Sequence, residues 1–183
     1  MDFRRLVITA LVLGAALPGA VQPARAQGPQ GAPGETAQTR EIKPEEFLRL
    51  AYSSATLQGQ AAKLAASRET RPEVKSYAAM AAEFRLGLLQ RIEAFAKERN
   101  LPLPSVKEFE HQVIIENLEP LDYLALSRRY AEIQLQAVGQ EIGIYQAASR
   151  SNSAEIKSFA EKVLPELRQQ QETAQTMFDA VKP

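Results

Sequence analysis

From residue 44 onward, apolar residues recur at three- and four-residue intervals and resolve into four long runs. That period is the mark of an amphipathic helix. The first run, from about Pro44 to Arg68, puts Phe47, Leu50, Ala51, Leu57, Ala61, Leu64 and Ala65 on one face, with Ser54 among them. The second, from Pro72 to Arg99, aligns Val74, Tyr77, Ala81, Phe84, Leu88, Ile92 and Phe95. The third, from about Pro120 to Ser149, aligns Leu121, Leu124, Ala131, Leu135, Val138, Ile142 and Tyr145. The last, from about Ala154 to Val181, turns Ile156, Phe159, Ala160, Val163, Leu167, Ala174, Met177 and Val181 inward. β-Branched residues never alternate over a useful length, so the pattern predicts an all-α domain.

The breaks between runs carry their own chemistry. Pro44 and Pro72 suit the first turn of a helix, where the missing amide proton is not needed. Leu101-Pro102-Leu103-Pro104 stops the second helix, because proline cannot continue it. Ser105-Val106-Lys107-Glu108 fits a capping box and predicts a short connecting helix that ends before Asn117. Ser151-Asn152-Ser153 supplies cap and turn residues before the last helix. Pro165 lies inside that helix and predicts a kink.

Ahead of the helices the pattern changes twice. Arg4 and Arg5 precede an apolar stretch, Leu6 to Ala20, which is followed by Ala24-Arg25-Ala26. This is the layout of a secretory signal, cleaved after Ala26. Residues 27–43 are rich in Gly, Pro, Gln and Thr and predict a disordered linker. The folded part is then residues 44–183, long enough for an independent core. The expected product is periplasmic or secreted. It has no later membrane span, and without cysteine its stability must come from packing.

The chain has 22 basic and 22 acidic residues. Without Arg4, Arg5, Arg25 and Asp2, 19 basic and 21 acidic residues remain. That balance gives no electrostatic reason to expect a nucleic acid partner. Nucleotide-binding, nucleophile-elbow and zinc-finger spacings are missing from the sequence. Its single histidine, His111, closes a Glu-x-x-His string at Glu108, but diiron bundles need two such motifs and further Glu. His111 is therefore expected to be an ordinary surface or half-buried histidine. The five tyrosines read as core-edge residues with a polar tip.

Several segments, in this order, resemble one family. They are Ala62-Lys63-Leu64-Ala65, Val74-Lys75-Ser76-Tyr77-Ala78 with Met80, Leu101 to Pro104, and Arg128-Arg129-Tyr130. Ile156-Lys157-Ser158-Phe159-Ala160 and Val163-Leu164-Pro165-Glu166-Leu167 complete the set. Together they resemble the exported, ferritin-like family catalogued as domain of unknown function 4142. The resemblance implies a four-helix bundle with one short connecting helix. It also implies a polar signature: Glu in the first helix, Asp-His in the second, and His in the third and fourth. Those positions here hold Gln58, Glu83-Phe84, Val138 and Gln170.

The periodicity independently puts Gln58, Phe84, Val138 and Gln170 on or beside the inward stripes, within reach of one layer. Amides are weak neutral donors and Phe and Val donate nothing, so this layer predicts no tight metal site, no cofactor and no catalysis. Gln58 and Gln170 could bridge the core through their amides. The leading expectation is a non-catalytic binding or envelope-associated protein, with a protein partner or a homo-oligomer as its unassigned company. The alternative is a carboxylate-based metal-binding or oxidative-stress protein using Glu83. A small-ligand carrier is the third reading.

Overall fold

The computed structural model describes residues 41–104 and 109–182, with Phe109 and Glu110 described for backbone only. The expected signal, linker residues 27–40 and the Ser105–Glu108 box lie outside the described residues. Among the described residues there are five helices, all in one compact unit, Thr39–Pro183. They are α1 Pro44–Ser67, α2 Pro72–Glu98, α3 Phe109–Leu118, α4 Tyr123–Ala148 and α5 Ala154–Val181. There is no strand among the described residues.

Local chemistry sets most boundaries. α1 and α2 both open on proline. α2 is followed, just past its Arg99 cap, by Asn100, whose φ of 53° is the left-handed turn that asparagine tolerates after a helix. The Leu101 amide then folds back onto the Ala96 carbonyl at 2.9 Å. Ser153 caps α5 by accepting from the Ile156 amide at 3.4 Å. α5 continues through Pro165 as one helix. α3 runs past Asn117, two residues further than the sequence suggested, because Leu118 is fully buried and anchors its end. α4 begins three residues later than expected.

The helices pair as two hairpins, α1 with α2 and α4 with α5, while α1 also lies against α4 and α2, more thinly, against α5. The polar ties at the ends fix the directions. Beyond the end of α1, Arg68 donates to the Glu119 and Leu121 carbonyls at 2.9 and 3.2 Å, just ahead of α4. Ahead of α1, Glu41 accepts from the backbone and side-chain nitrogens of Asn152, both at 2.8 Å, just after α4. Hence α1 and α4 run antiparallel. The Arg71 amide donates to Ser127 Oγ at 2.9 Å, so α2 and α4 start at the same end. Arg99, after α2, reaches Glu155 at 3.7 Å, so α5 starts where α2 ends. The order is up, down, down, up, with α3 inside a single long crossover. At the far end, Arg128 donates to the Val181 carbonyl at 3.2 Å.

Glu41 and Ile42 were expected in the linker. The Glu41 clamp and the burial of Ile42 make them part of the fold instead. No helix among the described residues is long and apolar enough to cross a membrane.

The buried apolar residues form two separate cores. One holds large side chains, among them Phe47, Leu48, Leu88, Ile92, Tyr145, Ile156 and Leu167. The other is built on small ones: Ala61, Ala62, Ala65, Ala78, Ala81, Ala131 and Ala174, with Tyr77 and Tyr130 between them. Complete burial of a Leu or Phe side chain is worth about 1.5–3 kcal/mol. The first core therefore carries most of the apolar stabilisation.

Candidate functional site

Each long helix passes from one core to the other at a single buried polar residue. In α1, Gln58 lies between Ala55 and Ala61, and in α2, Arg85 lies between Ala81 and Leu88. In α4, Gln134 lies between Ala131 and Val138, and in α5, Gln170 lies between Leu167 and Ala174. One turn beyond Val138, Glu141 is buried as well. Arg85, Gln134 and Glu141 are 0 % exposed, which for Arg and Glu happens almost only when they are paired.

These two are paired. The Arg85 guanidinium binds the Glu141 carboxylate through Nη1 and Oε2. Its Nη2 donates to Gln58 Oε1 at 2.6 Å. Gln58 Nε2 in turn donates to Glu141 Oε2 and to Ser54 Oγ, each at 2.9 Å. Gln134 Nε2 donates to Gln58 Oε1 at 3.2 Å. Gln58 thus joins the two charges, accepting from the cation and donating to the anion. The glycine beside it keeps the approach tight: a Cβ on Gly59 would sit 3.3 Å from Arg85 Cβ, so Arg85 would have to give by a few tenths of an ångström. The close approach of α1 to α2 lets the guanidinium reach across the bundle.

Three tyrosines surround the pair, and all are more deeply buried than the sequence suggested. Burial pushes the Tyr77 hydroxyl up to about 12, against the pull of Arg85 and of the Gln134 amide beside it. Burial likewise raises Tyr130 and Tyr145 well above the ordinary phenol value, with Tyr77 adding to the rise at Tyr130 and Glu141 at Tyr145, and Arg85 opposing both. The field of one guanidinium reaches all three rings. The Tyr77 and Tyr130 ring centres are 6.3 Å apart.

Of the layer expected from sequence, Gln58, Val138 and Gln170 are buried, but only Gln58 belongs to the hydrogen-bonded cluster. Val138 packs in the large-residue core. Gln170 does not bridge to Gln58. Its Oε1 has no protein partner, because Arg85, Glu141 and Gln134 already occupy the Gln58 amide. Glu83 is exposed and Phe84 is half-buried at the surface. Both line a depression of about 420 Å³ with Met80, Gly87 and Arg91. Successive residues are 100° apart on a helix, and the inward place belongs to Arg85, whose guanidinium carbon lies 5.1 Å from the Phe84 ring. The centre is a charged, amide-bonded cluster, where a layer of Phe, Val and two Gln had been expected.

Sequence reasoning missed Arg85, Gln134 and Glu141. Their signal is positional: 81-85-88-92 and 134-138-141-145 continue the apolar stripes of their helices, with opposite charges on the two.

His111 is half-buried, its Nε2 2.9 Å from Ser53 Oγ, a contact that ties α3 to α1. Among the described residues there is no group of three or more His, Asp or Glu placed to hold a metal ion. A second opening, about 540 Å³, separates the C-terminal part of α2 from the start of α5. Phe95, Phe159, Ser158, Arg99 and Lys162 are among its lining.

A family model described as Domain of unknown function (DUF4142) matches residues 28–177. No curated protein and no solved structure matches the chain. The matched stretch takes in all the residues of the central cluster and every helix but the last turn of α5, and the chain belongs to the DUF4142 family.

Proposed function

We propose that this chain is an exported, non-catalytic bundle of ferritin-like type that serves as a binding or envelope-associated structural protein. The up-down-down-up order with one long crossover supports the ferritin-like reading, since that family of bundles has such a connection. The n-region, apolar stretch and Ala24-Arg25-Ala26 support export.

The observation that carries the reading is the Arg85–Glu141 pair. A metal site in a bundle gathers several anionic or imidazole ligands about a point between the helices. Here a fixed guanidinium holds that region and is bound to its one buried carboxylate. A divalent cation entering there would face an always-charged arginine. Displacing Arg85 would leave a buried charge without a partner.

Metal analysis of the mature protein, purified from the periplasm and loaded with iron, zinc or copper, is expected to find far less than one ion per chain. Stoichiometric metal lost in Glu141→Gln would overturn the reading. N-terminal sequencing of the exported form is expected to begin at Gln27. A full-length chain retained in the cytoplasm would remove the export half.

A second reading, a small-ligand carrier, is favoured by the opening between α2 and α5. Its aromatic floor, Phe95 and Phe159 with centres 4.8 Å apart, is rimmed by Arg99 and Lys162. Ligand pockets have this apolar floor and few polar groups. A thermal-shift panel of apolar ligands separates the two: a shift that disappears in Phe159→Ala selects the carrier.

A further inference from the structure

The central cluster leaves polar atoms without protein partners. Arg85 Nε and the hydroxyls of Tyr77, Tyr130 and Tyr145 are buried donors in that condition, and Gln134 Oε1, Glu141 Oε1 and Gln170 Oε1 are buried acceptors. Natural proteins hold only a few such atoms per hundred residues, and each calls for a reason. These seven are not scattered. Six belong to Arg85, to its partner Glu141, to Gln134 in the same network, and to the three rings within the field of Arg85. The seventh, on Gln170, is the α5 member of the layer.

The occupant that satisfies them must both donate and accept. A cation would meet Arg85, and an anion would meet Glu141. The pair is neutral as a whole, so a small neutral molecule fits. Buried water makes about three hydrogen bonds to otherwise unpaired polar groups. We propose that the middle of the bundle is a binding site for ordered water, a cluster of about two or three molecules bridging Arg85 Nε, Glu141 Oε1 and the hydroxyls of Tyr77, Tyr130 and Tyr145. The site lies between the two apolar cores, so α1, α2 and α4 meet through a hydrated polar seam there. This goes beyond the functional reading above, since such water is present whether the protein is a scaffold or a carrier.

A crystal structure of the mature protein at a resolution that shows solvent is the direct test. The expected result is density within hydrogen-bonding distance of Arg85 Nε and of at least one tyrosine hydroxyl. Side chains that pair with one another and leave no solvent peak in the cluster would overturn the proposal. A solution test runs beside it, on Tyr130→Phe and Tyr145→Phe. A hydroxyl bridged by water loses bonds when removed, so both variants are expected to melt several degrees lower than the parent. An unpartnered hydroxyl costs stability while it is present, so an unchanged or higher Tm in both would count against the site.

Discussion

The two apolar cores do the same job with opposite materials. The core around Phe47, Leu88, Ile92 and Leu167 is made of large side chains that interlock. Phe47 lies edge-on to Tyr145, ring centres 5.1 Å apart and planes at 84°, a favourable aromatic geometry. The core around Ala61, Ala65, Ala78 and Ala81 gains its contacts from small residues that let backbones come close. Its bulk comes from Tyr77 and Tyr130 together with Val74, Leu118, Leu126, Met177 and Val181. The first half therefore depends on volume, and the second combines close-packed alanines with fewer large side chains, two of them phenols.

The largest expected effect sharpens that contrast. A tyrosine whose folded value lies above its ordinary 10.0 stabilises the fold fully below pH 10. It gives this up as pH rises through the folded value, because the unfolded chain releases its proton first. With Tyr77, Tyr130 and Tyr145 all raised, stability is expected to fall by as much as about 4 kcal/mol per pH unit above pH 10. Loss of helical circular dichroism should coincide with the rise in tyrosinate absorbance. Two of the three phenols belong to the alanine-rich core, so hydrogen exchange above pH 10 is expected to open that half first. Equal opening of both halves would break the comparison.

Next come the charge pair and the large core. Glu141→Leu leaves the buried Arg85 charge with the Gln58 amide but without its counter-charge, at a cost of about 3–5 kcal/mol. Adding Arg85→Met to it should recover most of that loss in urea unfolding, because a well-packed apolar pair replaces a buried ion pair at little cost. Phe47→Ala is expected to cost about 3–5 kcal/mol through the cavity it leaves.

In the alanine core the sign of the volume change reverses. Ala78→Leu has no cavity to fill and should cost about 1–3 kcal/mol by overpacking. The smallest expected effect is at Gln170. Its Oε1 lacks a protein partner, so Gln170→Leu should change stability by less than about 1 kcal/mol. A larger loss would mean that this amide belongs to the polar seam.

Much of this was legible in the sequence. Helical period, N-terminal prolines and the Ser151-Asn152-Ser153 cluster located four long helices to within about three residues. Gln58 and Gln170 stood out as amides on apolar stripes, and both are buried. Phe84 was placed on the inward stripe, in line with the habit that apolar residues lie inside and arginine outside. That preference is sound for one residue taken alone and fails for a pair. Arg85 and Glu141 are 56 positions apart, and each tolerates burial only because the other is there. The same holds for Glu41 and Asn152, 111 positions apart: the glutamate ends a Gly- and Pro-rich stretch and shows nothing of the loop that it grips. Single-residue habits reveal helices, whereas partnerships between distant helices require the fold.

The Glu41 clamp and the Arg128–Val181 contact fasten the two ends of the domain at opposite poles. α5 alone has 28 residues, so a span of roughly 40 Å, at 1.5 Å per residue, separates the entry point of the chain from its exit. Residues 41 and 182 are thereby held apart by about the length of α5. A pair of fluorophores at residues 41 and 182 would read out that separation.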